Sequence, residues 1–284
     1  MLDRVLVISV PGGPPRVVPA GEPLLRGDDL GVLRGDGVFE TLHVRSGRPF
    51  LLAEHLDRMA RSAERLDLPL PPAPRLEALA DTACGAWAAH REGALRLVCT
   101  RGPEDGGEPT LFATVAGIKD ALRDQRRAGI RVVTASLGVT ADARDGAPWL
   151  LGGVKSLSYA ANMAAQRWAS AQGVDDVLYV SSDGQVLEGP TSTVVWRDSG
   201  VLATVPDSTG ILPGTTAAHL LSRAAELGLT AELRMAVPAD LLAADGVWFA
   251  SSVRGVVPFT ELDGKPLTVD PLTPGLRDLL GYPA

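Results

Sequence analysis

The chain has 284 residues, 45% of them hydrophobic, and a net charge of −7 at pH 7. This length exceeds the usual size of one hydrophobic core, so the composition predicts a globular protein of two domains. The acidic balance argues against nucleic acid or an anionic membrane as the main partner. Cys84 and Cys99 lack metal-ligand spacing and cannot form a disulfide framework, which is typical of the cytoplasm.

No signal peptide is indicated, because the N-terminus lacks a basic start followed by a long apolar run. No apolar stretch is long enough to cross a bilayer. A cytoplasmic protein without a membrane segment is therefore expected.

The first half of the chain alternates strand patterns with amphipathic helices. Strands are predicted at 4–10, 16–18, 38–44, 95–100 and 110–115, and helices at 51–66 and 75–90. A charged run at 119–128 is the predicted linker. The domains expected are thus a smaller N-terminal α+β domain at 1–118 and a larger C-terminal domain at 129–284.

The second half continues the alternation. Strands are predicted at 130–135, 176–181, 185–188, 193–196, 201–205, 232–237 and 247–251, and helices at 159–172, at 217–227 and near Pro238. Asp183-Gly184 indicates a hairpin turn, and Gly228 should end the helix at 217–227. The fold class expected is α+β.

Lys155 is the first candidate catalytic residue. It stands ahead of the predicted helix at 159–172, where the positive end of the helix dipole disfavours a protonated amine, and burial would disfavour it further. A neutral amine can form a Schiff base. Tyr159 follows one helical turn later, so both side chains can face one pocket. The alternative is a solvated surface lysine, the commoner role at a helix start.

Three further features complete a pattern. Glu188 ends a strand just before Gly189, which places its carboxylate at a strand tip. Gly214-Thr215-Thr216 offers backbone N–H groups for a phosphate at a helix N-terminus, and Arg58 could be a second phosphate ligand. A lysine, an isolated carboxylate and a phosphate cup are what pyridoxal 5′-phosphate requires. The alternatives are a surface acid for Glu188 and an ordinary helix cap for the threonines.

Five motifs in order carry a family resemblance. They are Arg34-Gly35-Asp36-Gly37-Val38-Phe39-Glu40-Thr41, His55-Leu56-Asp57-Arg58, Lys155-Ser156-Leu157-Ser158-Tyr159, Leu187-Glu188-Gly189 and Leu212-Pro213-Gly214-Thr215-Thr216. With them the chain resembles the fold-type IV pyridoxal-phosphate enzymes of the class IV aminotransferase family. The resemblance implies a D-amino acid aminotransferase-like fold of two domains with the cofactor in the cleft, and usually a homodimer.

The resemblance also implies a role for each matching residue. Lys155 would bond the cofactor aldehyde, Glu188 would pair with the ring nitrogen, Tyr159 would bond the ring hydroxyl, Leu212 would pack on the ring face, and Arg58, Thr215, Thr216 and Ser252 would hold the phosphate. No metal is expected. One departure is Thr193, where the family often has Asn; cofactor binding should survive it.

The reaction favoured is that of an aminodeoxychorismate lyase, which forms 4-aminobenzoate, a folate precursor, and pyruvate. Segments 28–41, 95–102 and 250–255 look like actinobacterial lyases of this family, and the Tyr-x-Arg-Pro signature of branched-chain aminotransferases is absent. An aminotransferase for D-amino or branched-chain acids is the alternative. A binding protein without catalysis is a third reading, against which intact Lys155 and Glu188 argue.

An amino-carboxylate substrate with two carboxylates needs cationic partners. Arg96, Arg101 and Arg254 are the candidates. The alternative for each is a solvent-exposed ion pair, which contributes only ~0–1 kcal/mol.

Overall fold

The computed structural model describes residues 4–282. The chain divides into two compact units. The N-terminal unit contains the chain up to Lys119 together with the segment Val154–Tyr159, and the C-terminal unit contains Asp120–Gly153 and the chain from Ala160 onward. The stretch predicted as a linker is mostly a helix of the C-terminal unit, where Asp–Arg pairs at i,i+3 stabilise it.

The N-terminal unit contains one antiparallel sheet and three helices. Its strands are β1 Arg4–Ile8, β2 Arg16–Val18, β3 Gly37–Arg45, β4 Arg48–Pro49, β5 Gly93–Thr100 and β6 Leu111–Gly117, and its helices are α1 Leu30–Leu33, α2 Leu52–Arg65 and α3 Ala73–Gly85. The six strands pair in the order β2-β1-β6-β5-β3-β4. The predicted strands and both long helices of this half are confirmed.

The core of this unit lies between one face of the sheet and helices α2 and α3. Met59 and Leu79 from the helices and Leu42 and Leu97 from the strands are fully buried in one cluster. The apolar positions of α2 recur at three- and four-residue spacing, so one stripe of the helix faces the sheet. This packing fixes the side chains of α2 against β3.

The C-terminal unit contains an eight-stranded mixed sheet and five helices. Its elements are α4 Asp120–Ala128, β7 Ile130–Ser136, α5 Ala160–Ala171, β8 Asp176–Val180, β9 Thr193–Asp198, β10 Val201–Thr204, α6 Thr215–Ser222, β11 Thr230–Leu233, α7 Pro238–Ala243, β12 Gly246–Ser251, β13 Gly255–Leu262, β14 Lys265–Pro266 and α8 Thr273–Leu280. Short 3₁₀ turns occupy 148–150, 207–209 and 224–227. The strand order is β11-β10-β9-β12-β13-β7-β8, with β14 beside β13.

Three predicted elements of this unit differ in detail. The helix at 217–227 is α6 followed by a 3₁₀ turn, which Gly228 ends with φ of 72° as predicted. The strand expected at 232–237 is the shorter β11, which begins two residues earlier and ends at Leu233, four residues earlier. Residues 185–188 form no regular strand but bond to β8, where the Leu187 N–H donates to the Tyr179 carbonyl at 2.9 Å. The predicted α+β class is confirmed.

Within residues 4–282, none of the helices combines the length and the hydropathy that a membrane span requires.

Candidate active site

Lys155 differs from the other lysines in its burial. The chain has three lysines. Lys119 and Lys265 are exposed, whereas Lys155 retains only 9% of its accessible surface. A solvated surface lysine, the alternative reading of the sequence, therefore does not describe Lys155.

Strand pairing positions Lys155. Ser156 forms a bridge with Val38 of β3, and the Lys155 carbonyl accepts a hydrogen bond of 3.1 Å from the Phe39 N–H. The Lys155 N–H donates to Ser62 Oγ of α2 at 3.1 Å. Helix α5 begins only at Ala160. Lys155 thus lies ahead of the helix, as predicted, but in a non-helical segment that is bonded to β3 and α2.

The Lys155 amine lies among two aromatic rings. Its Nζ donates to the Tyr159 hydroxyl at 3.1 Å and lies 4.4 Å from the centroid of the Phe39 ring. The Phe39 and Tyr159 rings meet edge to face, with centroids 4.9 Å apart. The predicted proximity of Lys155 and Tyr159 is confirmed, although a non-helical segment produces it.

A cluster of buried ionisable side chains lies on β3 and α2. Glu40 of β3 accepts hydrogen bonds from Arg58 Nε and Nη2, each at 2.7 Å, and its Oε2 lies 2.6 Å from His55 Nδ1. All three side chains are buried. Arg58 thus has a two-point carboxylate partner that the sequence analysis did not foresee, and its phosphate role stays a prediction.

The ionisation of this cluster follows from its partners. Burial by itself would raise the pKa of Glu40, but the charge and hydrogen bonds of Arg58, with those of His55, outweigh it and hold the pKa at about 2. Burial lowers the pKa of His55 below its ordinary value, although Glu40 opposes this shift. Near neutral pH the cluster is a Glu40–Arg58 ion pair with a neutral imidazole that donates from Nδ1.

Glu188 lies in the C-terminal unit. Its backbone carbonyl accepts a hydrogen bond of 2.8 Å from Tyr179 of β8, and its side chain is half-buried. The carboxylate Oε2 accepts a hydrogen bond of 3.1 Å from the Leu212 N–H, and Oε1 lies 4.0 Å from Arg144 Nη1. Leu212 thus contacts Glu188 through its backbone, while its packing on a cofactor ring stays a prediction.

At the start of α6 the backbone of Gly214 packs closely against Thr193. Its N-cap is Gly214, which has no side chain to cap the helix, and Thr215 and Thr216 are buried in its first turn. A Cβ on Gly214 would lie 2.1 Å from Thr193 Oγ1. The position at which the sequence departs from the family pattern is therefore in contact with this cap.

Ser252 lies in the turn between β12 and β13. The Tyr282 hydroxyl donates to the Ser252 carbonyl, and Arg126 Nε donates to the Arg254 carbonyl at 3.2 Å. These bonds hold the backbone of the turn at two points. The proposed contact of Ser252 with phosphate stays a prediction.

Two of the three candidate substrate arginines have structural partners. Arg101 Nε donates to Asp36 at 2.6 Å, and its two other nitrogens donate to backbone carbonyls. Arg254 is 7% exposed, and its Nη2 donates to Asp176 and to Ser192 Oγ, each at 2.7 Å. Their substrate roles stay predictions alongside these contacts.

Arg96 differs from both. Its side chain is exposed on β5, and its guanidinium carbon lies 5.6 Å from the centroid of the Phe39 ring, which also borders Lys155. Arg96 and the Lys155 amine therefore border the same aromatic ring.

The sequence analysis missed Phe39, Ser62 and Arg144 as neighbours of candidate residues. Phe39 stood inside a quoted motif, and alternation along β3 could have placed its side chain. Ser62 and Arg144 contact their partners across 93 and 66 residues of sequence, respectively, so no local pattern reveals them. Residues 4–282 contain no cluster of three or more His, Cys, Asp or Glu suited to a metal ion.

Comparisons with known proteins agree on one family. The model of the family described as amino-transferase class IV matches residues 37–262. The chain is 40% identical over 284 residues to a Mycobacterium tuberculosis protein named "Bifunctional aminodeoxychorismate lyase / D-amino acid transaminase", with 97% of each chain covered.

Two solved structures are similar along nearly the whole chain. One is the PLP-bound form of a hypothetical aminotransferase from M. tuberculosis, with a TM-score of 0.93, 40% identity and 97% of both chains covered. The other is the fold IV-transaminase CpuTA1 from Curtobacterium pusillum, with a TM-score of 0.92, 40% identity, and 99% of this chain and 100% of that chain covered.

Proposed function

The chain belongs to the amino-transferase class IV family, and we propose that it is an aminodeoxychorismate lyase that also transaminates D-amino acids. It is a fold-type IV enzyme whose cofactor is pyridoxal 5′-phosphate. The observation that carries the proposal is the 40% identity, over 97% of both chains, to a relative whose name includes both activities.

The residues present suit this cofactor. Pyridoxal phosphate supplies an aldehyde for an amine and a ring that withdraws electrons from the substrate carbon. The chain offers a buried amine at Lys155, a half-buried carboxylate at Glu188 and a glycine-capped helix start at Gly214. Because Gly214 lacks a Cβ, its backbone can approach a phosphate closely.

Each residue has one proposed role toward the cofactor. Lys155 bonds the aldehyde, the Tyr159 hydroxyl bonds the ring hydroxyl, Glu188 pairs with the ring nitrogen, Leu212 packs on the ring, and Arg58, Ser252 and the backbone of Thr215 and Thr216 hold the phosphate. The Lys155–Tyr159 contact of 3.1 Å supports the first two roles, because it brings the hydroxyl beside the reacting amine.

Lys155 also moves the proton. Once the substrate amine has displaced it, the Lys155 amine accepts the proton from the carbon that bears the substrate nitrogen. In the lyase reaction the C–O bond on the neighbouring carbon then breaks, the enolpyruvyl group takes up a proton and leaves as pyruvate, and the ring becomes aromatic. In transamination no such bond would break, and the same amine would donate the proton to the cofactor carbon that is bonded to the nitrogen.

The two activities are separated by two assays on one preparation. Aminodeoxychorismate should yield equal amounts of 4-aminobenzoate and pyruvate, and D-alanine with 2-oxoglutarate should yield pyruvate and D-glutamate. Transamination without any 4-aminobenzoate would sink the lyase assignment. 4-Aminobenzoate without transamination would restrict the enzyme to the lyase reaction.

Branched-chain transamination remains the alternative within the family. The absence of the Tyr-x-Arg-Pro signature around Leu95-Arg96-Leu97 speaks against it. L-Leucine with 2-oxoglutarate is the direct assay, and turnover comparable to that of D-alanine would favour this alternative.

A homodimer belongs to the same proposal, because the family resemblance implies one. Light scattering should give twice the 29.7 kDa of one chain. A mass of 29.7 kDa at assay concentration would show that the enzyme acts as a monomer.

A further inference from the structure

Arg144 occupies a groove formed by two glycines of the C-terminal unit. A Cβ on Gly152 would lie 2.9 Å from Arg144 Cβ, and a Cβ on Gly210 would lie 2.6 Å from Arg144 Cδ. Any side chain at either glycine would collide with the arginine stem. The arginine is therefore embedded along its stem.

The guanidinium ends at a backbone carbonyl. Arg144 Nη1 donates to the Gly210 carbonyl at 2.7 Å, and the Gly153 N–H donates to the same oxygen at 3.0 Å. Gly210 has φ of +74°, so it makes a turn that few other residues adopt without strain. Arg144 thus ties down one end of the loop that leads into α6.

That loop also holds the carboxylate of Glu188. Leu212, two residues after Gly210, donates its N–H to Glu188 Oε2 at 3.1 Å. A shift of the loop would move this donor and turn the carboxylate with it. The guanidinium itself stands 4.0 Å from Glu188 Oε1, at the outer limit of an ion pair.

We propose that Arg144 is a positioning residue for Glu188, acting through the loop at 210–212. The inference rests on the proposed function, in which Glu188 pairs with the cofactor ring nitrogen. The direct Arg144–Glu188 contact is long, since the nearest nitrogen and oxygen lie 4.0 Å apart. The hydrogen bond to Gly210 is short and charge-assisted, so it dominates.

The test compares two cofactors in Arg144→Met. Methionine keeps much of the stem but removes the donors. Affinities for pyridoxal phosphate and for its 1-deaza analogue, whose ring nitrogen is replaced by CH, are measured on apoenzyme. The wild type should prefer pyridoxal phosphate, and Arg144→Met should reduce this preference about tenfold, within the range of coupling between residues in one hydrogen-bond chain.

Controls test whether the effect requires a cationic donor at position 144 and the carboxylate of Glu188. Arg144→Lys, which retains a cationic donor, should keep most of the preference, and Arg167→Met, at an exposed position of α5, should keep all of it. In a Glu188→Gln background, Arg144→Met should change the preference no further. If Arg144→Met fails to fold, Arg144→Leu, which also lacks a donor, provides the same comparison.

The possible outcomes distinguish a failure of the Arg144 positioning role from a failure of the Glu188 assignment. Equal weakening of both cofactors in Arg144→Met, with the preference intact, overturns the positioning role alone. A wild type that shows no preference, and is unaffected by Glu188→Gln, overturns the Glu188 assignment and the Arg144 inference with it.

Discussion

The two units furnish candidate residues of different kinds. In the N-terminal unit Lys155 lies near buried ionised side chains, since Glu40 and Arg58 form an ion pair on the elements that pin the lysine. In the C-terminal unit the corresponding features are backbone groups, namely the Leu212 N–H and the helix start at Gly214. The first set depends on a pair of buried charges, whereas the second depends on backbone donors that face the Glu188 carboxylate and, at Gly214, on the absence of a side chain.

This difference predicts which kind of change should damage each unit. Removing a charge or lowering the pH should damage the N-terminal unit, because a buried charge without its partner is costly. Adding a methyl group should damage the C-terminal unit, because a glycine there lies against another side chain.

The largest effect should follow Glu40→Gln. This substitution leaves the buried Arg58 guanidinium without its counter-charge, and we expect the free energy of unfolding to fall by about 3–5 kcal/mol. Urea denaturation measures it. Glu64→Gln, which removes an exposed carboxylate of α2, is the matched control and should change little. A loss of less than ~1 kcal/mol in Glu40→Gln would show that the ion pair does not stabilise this unit.

Acid should act on the same cluster. The folded pKa of Glu40, about 2, lies below its ordinary value of 4.5, so its stabilisation is present above pH 4.5 and is lost as the pH falls toward 2. This contribution is about 3 kcal/mol. The pKa of His55 is also lowered, so its protonation below pH 6.5 favours the unfolded chain.

Urea unfolding across this pH range tests whether the free energy of unfolding falls as the pH falls. Stability should decline below pH 6.5 and again below pH 4.5. Glu40→Gln should lack most of the second decline. Equal acid sensitivity in the variant and the wild type would assign the decline to other groups.

Gly214→Ala should damage the C-terminal unit instead. The new methyl would lie 2.1 Å from Thr193 Oγ1, so the helix start must shift, at a cost of about 1–3 kcal/mol. We expect weaker cofactor binding in a fluorescence titration. Thr193→Ala in the same chain makes room and should restore part of the affinity. Gly146→Ala, where no atom lies within 4 Å, is the control. Unchanged binding in Gly214→Ala would remove this glycine from the phosphate site.

The smallest effect on stability should come from Arg96→Gln. Because Arg96 is exposed, the free energy of unfolding should stay within ~0.5 kcal/mol, while KM for aminodeoxychorismate should rise about tenfold if it binds a substrate carboxylate. Arg254→Gln should show the opposite pattern, because it breaks a buried pair with Asp176. An unchanged KM in Arg96→Gln would exclude Arg96 as a substrate ligand.

Local pattern was sufficient for most elements and for the proximity of Lys155 and Tyr159, whereas the catalytic role of Lys155 stays a prediction. Helix α2 and strand β3 follow from periodicity, and the motif around Lys155 predicted its contact with Tyr159. The reason given for that contact was wrong, however. The segment is not helical, and its Ser156 pairs with Val38, which lies more than a hundred residues away in sequence. Periodicity carries no information about such pairing.

The contact partners of charged side chains were not predicted from the sequence either. Arg58 was assigned to phosphate from its type and motif alone, yet its guanidinium contacts Glu40, 18 residues earlier. The sequence did not single out Arg144, because its contacts depend on Gly152 and Gly210 in the folded chain. Residue type predicts which chemistry is available, whereas the partner that uses it depends on tertiary packing.

Borohydride reduction followed by peptide mass mapping identifies the amine that bonds the cofactor. The chain has three lysines, so the modified residue can be assigned without ambiguity. After incubation with pyridoxal phosphate, the account predicts one reduced cofactor per chain, on Lys155, and none in Lys155→Ala. Stoichiometric modification of Lys119 or Lys265, or an unmodified Lys155, would contradict it.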